Sequence, residues 1–557
     1  MDRKALIAFV LLGLIMILWG PYLRLISGPP KERTPGEESH SGIDIATAER
    51  TVASEPSEDP PSAAVRQTTL TPADTSRRAR KIMVDTELYR ATLSSEGGTI
   101  VSWELKAFEG VGEEWVELIP EDATGALGIA LDTEFGDLDL SGYIFACSAE
   151  DVTLSEADPV QAITMVLQLE EGRRVEKEFV FRNGTYSFDL KVRLEGFAGI
   201  VPTREYDLVW GAGLKSTEAD VKEDMSKMAA YALMGDAVAK YDMGGKEEKM
   251  DRREDGRSGW IGIRTKYFLL SLIPRSEVAK GIKVRGEKKK IPSGRRSVDM
   301  KTFNVALRMP LAVSAPTSHD YEVYLGPQDY AVLQRYGVGL EKCMDMGWAI
   351  IRPVSRVILG FFVFVHRFIP NYGLVIIIFS ILLKVLFYPL THKQLEATRK
   401  MQELQPQLAA LKEKYKKDPQ RLNKETMALY KEAGANPLGG CFPLLLQMPV
   451  FFALFTVFRS TIELRRAEFV WWIQDLSIKD PYLVLPIVMA ATMFIQQKMT
   501  MKDPKQAAMV YLMPAIMFFF FMNFASGLVL YWTVFNILSI IQQVFAQRRE
   551  KVSVRKQ

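Results

Sequence analysis

One ionisable residue stands inside an otherwise apolar run of this chain. The string NYGLVIIIFSILLKVLFYPLT, residues 371–391, contains Lys384 and no other charge. A charge at the centre of a membrane helix costs about 2.5–3.5 kcal/mol on insertion scales, so such residues usually meet a partner or a wet cavity. Two readings stand. Lys384 is followed closely by Pro389, so its stem can snorkel to the nearer aqueous surface. Alternatively, a cation that no intramembrane Asp or Glu answers marks a hydrated, positive groove suited to an acidic guest. A proton relay or cation pore would require carboxylates. Ser380 lies one turn back on the same helix face. Gln447, Gln496, Gln497, Asn523, Trp532 and Asn536 add polar groups in neighbouring apolar segments.

Other chemistry has little to work with. Cys147, Cys343 and Cys441 are far apart, with no CxxC pair. His40, His319, His366 and His392 share no ligand spacing, so no metal site is expected. No GxxxxGK[ST] loop is present, so no nucleotide hydrolysis and no cofactor are expected. A net charge of +3 is too small to argue for a nucleic-acid site. The Met- and Phe-dense string AAMVYLMPAIMFFFFMNF (507–524) contains Met513, Met517 and Phe521. With Phe451, these residues form either ordinary lipid-facing surface or an adaptable slide for unlike hydrophobic helices.

Positioning these residues takes a membrane bundle. Residues 5–23 and most of 348–546 are apolar, in runs of about 16–20, long enough to cross a hydrocarbon core of about 30 Å. Candidate spans are 371–391, 441–458, 482–497, 507–524 and 527–546, several of them short enough to favour bilayer thinning. The basic stretches 391–440 and 498–506 and the short basic tail 547–557 place those segments and the C-terminus in the cytosol. That parity makes 347–369, interrupted by Arg352, Pro353, Arg356, His366 and Arg367, an amphipathic helix in the outer interface rather than a span. Residues 331–369 form this interfacial region, and 370–546 a five-span core. Residues 1–26, basic at the start and lacking a small-x-small cleavage site, read as an uncleaved anchor with a cytosolic N-terminus. Six spans result. Residues 27–80, rich in Pro, Ser, Thr and Glu, read as a flexible tether. Residues 392–435 read as a helical hairpin, broken at Lys417-Asp418-Pro419, with Leu395, Leu404, Leu408, Leu411 and Tyr415 in a stripe. It either merely connects two spans or meets a partner.

From 81 to 330 the hydrophobic period is two. GTYSFDLKVRL places Tyr186, Phe188, Leu190, Val192 and Leu194 on one face. VEKEFVF alternates just before it, and Asn183-Gly184 between them is a hairpin signal. Further strands are expected at 98–107, 163–169, 205–210, 260–273, 303–309 and 321–325, which together indicate an antiparallel β-sandwich. A carbohydrate enzyme of this size would need an acid–base set, and the domain offers only His319. No catalytic residue is expected.

Strings in the membrane half resemble the YidC membrane-protein insertase family: YPLTHKQ (388–394), NPLGGCFPLLLQMPVFFALF (436–455), LRRAEFVWWIQDLSIKDPYLVLPIVMAATMFIQQKM (464–499) and MPAIMFFFFMNFASGLVLYWTVFNILSIIQQ (513–543). GGTI, WIGIRTKYF and YLGPQDY are weaker echoes of its Gram-negative form, which has a large periplasmic domain. The resemblance implies a polytopic α-helical inner-membrane protein that is no enzyme. Its five-helix core would surround a groove open to cytosol and lipid, beside a non-catalytic periplasmic β-sandwich. The family's groove cation is usually Arg. Its counterpart here is Lys384, which keeps the charge but loses bidentate carboxylate pairing. Groove residues carry over to Ser380, Gln497 and Trp532. The implied partners are nascent membrane proteins, the Sec translocon, membrane lipids and, weakly through the cytosolic loops, the ribosome; the short tail argues against strong ribosome anchoring. Rival readings are a channel or transporter, a tethered sugar-binding protein working through 82–326, and a passive Sec-associated scaffold.

Overall fold

The computed structural model describes residues 71–554 apart from 73–77, 113, 122, 124, 246, 294–295, 417, 435–441 and 501–506. The expected anchor, 1–26, and most of the expected tether lie outside the described residues.

Strict alternation builds the β domain. Strands Arg174–Arg182 and Ser187–Glu195 pair antiparallel, with Phe181 opposite Phe188. Gly184 turns between them at φ 74°, a conformation open to glycine at no steric cost. Val175, Phe179 and Phe181 bury one face of the first strand, and Phe188, Leu190, Val192 and Leu194 that of the second. Five other expected strands are present as Thr99–Glu109, Val160–Gln168, Glu205–Trp210, Arg296–Pro310 and Thr317–Pro327. The run 260–273 is two strands rather than one, Lys249–Arg264 and Phe268–Pro274. The chain reverses at Thr265, whose N–H donates to the Phe268 carbonyl at 2.9 Å. Both arms are buried, so hydropathy runs through the turn unbroken. A thirteen-stranded and a five-stranded sheet enclose the core. Pairing among the described residues is antiparallel except where Lys81–Asp85 meets Val152–Thr153 in parallel.

Eleven helices are described: α1 (Val221–Lys227), α2 (Tyr330–Arg335), α3 (Ile351–His366), α4 (Tyr372–Leu386), α5 (Tyr388–Glu403), α6 (Gln405–Lys414), α7 (Pro419–Glu432), α8 (Phe442–Ser460), α9 (Val484–Thr500), α10 (Ala507–Phe521) and α11 (Ser526–Val554). Their ends follow local chemistry. Asn371 caps α4 by accepting from the Leu374 N–H at 3.0 Å. Asp480 accepts from the Tyr482 and Leu485 N–H groups at the start of α9. Asp418 caps α7, at the break expected between the hairpin arms. The run expected as one span, 371–391, is shorter as a helix, because the chain kinks at Phe387 and restarts with Pro389 in the first turn of α5. The first hairpin arm is likewise two pieces, α5 and α6, since Pro406 opens α6. The basic tail continues α11 as helix to Val554.

Among the described residues, α11 alone, over Ser526–Ala546, is long and apolar enough to cross a membrane by itself. The 15 residues of α4 span only about 22 Å. α3 buries Ile351, Ser355, Ile358, Leu359 and Phe362 while exposing Val357 and Phe364. One apolar cluster runs from Trp260, Leu269 and Tyr324 of the β domain through Leu333 and Cys343 to Phe362, Phe379, Phe458 and Tyr531 of the helices.

Candidate functional site

The last turn of α4 and the middle of α11 place a cation between them. Lys384 is half-buried, and its Nζ donates to the Ser539 hydroxyl at 2.7 Å. The same ammonium lies 4.6 Å from the centre of the Phe535 ring, a cation–π contact. Among the described residues no carboxylate stands within ion-pair distance of it. The amine is therefore turned toward a helix neighbour, held by a neutral hydroxyl and a ring face.

Ser380, expected on the same face, is fully buried and donates to the Ile376 carbonyl of its own helix at 2.7 Å. It braces α4 and makes no hydrogen bond to Lys384. Trp532 is half-buried and meets Phe451 edge-on at 5.4 Å and Phe521 at 5.6 Å. Phe451 and Phe521 also touch, at 6.2 Å, so three of the expected residues form one aromatic cluster joining α8, α10 and α11. Met517 packs against the apolar cluster from its edge. Met513 is half-buried on α10. Gln497 points its Oε1 to a buried position with no hydrogen-bond partner, as Asn536 does its Nδ2.

Sequence reasoning missed Ser539 and Phe535. A signal existed: Trp532, Asn536, Ser539 and Gln543 recur at helical spacing along α11 and give a stripe of polar groups in an apolar helix. Gln447 adds a donor to the Tyr531 hydroxyl at 3.0 Å. The expected residues thus fall into a cation held between α4 and α11, unspent amide atoms on α9 and α11, and an aromatic cluster of α8, α10 and α11.

The buried ionisable side chains of the β domain include His319 and Lys177. His319 is spent in a closed chain, its Nδ1 2.9 Å from the Tyr206 hydroxyl and its Nε2 3.3 Å from Glu277. Tyr206 continues to Tyr321 at 2.7 Å. Lys177, which the alternation of VEKEFVF turns inward, is fully buried. Its ammonium donates to the carbonyls of Gly97, Gly98 and Leu127 at 2.7, 3.0 and 2.7 Å. Burial pushes this amine down to about 7.

Comparison with known proteins gives a consistent picture. A family model described as the YidC periplasmic domain matches residues 81–356. One described as the 60Kd inner membrane protein matches residues 364–553. A membrane protein insertase YidC from Chlorobaculum parvum is 34% identical over 573 residues, covering 98% of this chain and 94% of that one. One from Syntrophus aciditrophicus is 34% identical over 569 residues, covering 99% and 100%. A crystal structure of an active YidC insertase with its first transmembrane domain resolved is 19% identical, with a TM-score of 0.37, covering 86% of this chain and 94% of that one.

Proposed function

Because this chain belongs to the YidC family of membrane protein insertases, we propose that it inserts nascent membrane proteins by electrostatic capture at Lys384. It is an inner-membrane insertase with a periplasmic β domain, and it is not an enzyme. The acidic or polar flank of an arriving segment enters beside α4 and α11 and is held transiently by the ammonium. The hydrophobic part packs on the wall of Phe451, Met513, Met517, Phe521 and Trp532, then leaves into lipid. Burial of apolar area drives the transfer at about 25 cal/mol per Å². The membrane potential adds or subtracts about 2.3 kcal/mol per charge per 100 mV. Short helices such as α4 favour a locally thinned bilayer, which shortens the path of the flank.

The observation that carries this reading is the cation that no carboxylate answers among the described residues. An ammonium already paired with an acid would have no charge to offer a guest. The hydroxyl of Ser539 can release it at the cost of one hydrogen bond. Gln497 and Asn536, with unspent polar atoms, supply further contacts for a polar flank. The topology that fits is six spans: an anchor at 1–26, the five helices α4 and α8–α11, both termini in the cytosol, and 81–330 in the periplasm. The hairpin of α5–α7 then faces the cytosol, where it receives chains from the ribosome. Cooperation with the Sec translocon and contact with membrane lipids belong to the same reading.

The test replaces Lys384 with Ala, Arg or Glu and follows insertion of a single-span substrate with an acidic tail. Arg preserves insertion and Glu abolishes it. Full insertion with Glu would leave Lys384 a snorkelling residue and discard the capture mechanism.

A further inference from the structure

The segment between α8 and α9, residues 461–483, is a hub for three parts of the molecule. Toward the helices, the Ser526 and Gly527 N–H groups donate to the Ile478 and Leu476 carbonyls at 2.6 and 2.9 Å. These bonds stitch the segment across the α10–α11 turn. Asn371 Nδ2 donates to the Phe469 carbonyl at 3.2 Å, tying it to the start of α4. Gly373 lets the Phe469 ring lie against the α4 backbone, where any Cβ would collide with it. Leu464, Ile473 and Leu476 are buried in the helical cluster, whereas Ile462 joins the core of the β domain.

Toward the β domain, the segment presents two arginines, and the end of α8 adds a third. Arg465 donates its Nε to Glu218 and its Nη2 to the Glu109 carbonyl, each at 2.8 Å. Its guanidinium also lies over Tyr267 and Phe268, at 5.8 and 5.6 Å. The side chain is 3% exposed, so this is an enclosed pair and not a solvated surface contact. Arg466 reaches Glu109 at 3.2 Å and also donates to the Gly110 carbonyl. It does so from φ 53°, a backbone conformation that a non-glycine residue holds only when its contacts insist on it. Arg459 meets Glu223 of α1 at 2.8 Å. Tyr267 donates to the Ser477 hydroxyl at 3.1 Å.

We propose that the β domain pins segment 461–483, chiefly through Arg465, across the periplasmic ends of α4, α8 and α11, and so keeps the outer end of the bundle closed to ions while substrate enters from the other side. This rests on the topology of the insertase reading, and it gives the β domain a task in sealing rather than in insertion. The physical logic is that of an enclosed ion pair. Removing Glu218 leaves a sealed guanidinium without its carboxylate, and removing Arg465 leaves Glu218 with the Thr217 hydroxyl but no cation and takes a donor from the Glu109 carbonyl; either way the closed position loses its preference. Arg465 is a positioning residue: it acts through the segment it holds.

The experiment uses the full chain in proteoliposomes without substrate and measures passive ion leak under an imposed potential. Arg465→Ala and Glu218→Ala each raise the leak about tenfold, the factor that one lost charge-assisted hydrogen bond puts on a closed-to-open ratio. The swapped pair Arg465→Glu with Glu218→Arg brings the leak back toward the parent value, which a loss of folding would not do. Insertion of a single-span substrate with a short tail continues in all of them. Leak at the parent level in both single variants overturns the pin. A leak that rises in the single variants but is not lowered by the swap also overturns it, as a folding effect. Parent chain that fails to insert in the same vesicles counts against the insertase reading instead, whatever the leak.

Discussion

Lys177→Met in the β domain sets two opposing quantities against each other. The substitution keeps the side-chain volume and removes the amine. Above pH 7 the folded amine is neutral and has two N–H groups, so two of the three carbonyls around it, those of Gly97, Gly98 and Leu127, lose a donor inside the core. At about 2 kcal/mol for each buried, unsatisfied group, the loss is about 4 kcal/mol. Against this stands the cost that the native domain carries for burying an amine. Lys177 is pushed from its ordinary 10.5 down to about 7, so between these values the unfolded chain binds the proton and the folded chain does not. Stability therefore rises with pH across that window, by about 1.4 kcal/mol per unit. At pH 7.5 the native protein bears about 4 kcal/mol of this cost and at pH 9.5 about 1 kcal/mol. Lys177→Met is relieved of it at both. The net destabilisation is thus close to zero at pH 7.5 and about 3 kcal/mol at pH 9.5. Denaturant unfolding of the full chain in detergent, followed by tryptophan fluorescence, reads this difference, since Trp103 and Trp210 are buried in the β domain. A variant as stable as the parent at both pH values, with a parallel pH dependence, would refute the reasoning.

Gly373→Ala drives a methyl group into the Phe469 ring and costs about 2 kcal/mol in thermal unfolding, whereas Gly360→Ala, with open space around it, is neutral or gains up to about 1 kcal/mol. Glu463, just outside α8, has one carboxyl oxygen buried without a hydrogen-bond partner, and burial raises its acid from 4.5 to about 7. The folded chain holds that proton longer than the unfolded one, so stability falls as pH rises from about 4.5 to about 7; Glu463→Gln flattens this slope in unfolding midpoints, a change of about 3 kcal/mol across the window. Ser539→Ala frees the Lys384 ammonium from the hydroxyl that competes with the guest and raises insertion of acid-tailed substrates about threefold, as expected for one hydrogen bond of modest net worth, while neutral-tailed substrates insert as before.

How much was legible in advance varies with the range of the interaction involved. Lys384 stood out because a charge in an apolar run is conspicuous without any coordinates. Its partner did not, because Ser539 is far along the chain and only the packing of α4 on α11 brings the two together. Ser380 shows the converse. Its spacing placed it on the cation's face, yet burial led its hydroxyl to bond to Ile376 within the helix. Lys177 sat in plain view in VEKEFVF, at an inward position of the alternation, but an alternating pattern reads charge as outward until the enclosing carbonyls are known.

The chain alone determined the apolar runs, the period-two β domain, the hairpin at Gly184 and the break at Asp418, because each follows from neighbours within a turn or a strand. Tertiary structure decided what those elements do to one another: that Trp532, Phe451 and Phe521 share one wall, that the run 260–273 folds back on itself, and that Arg465 docks the β domain onto the helices. Local sequence fixes dihedral preference and which side of an element is apolar. The free energy of closing one buried cation on a distant carboxylate or carbonyl exists only once both have been brought out of water to the same place.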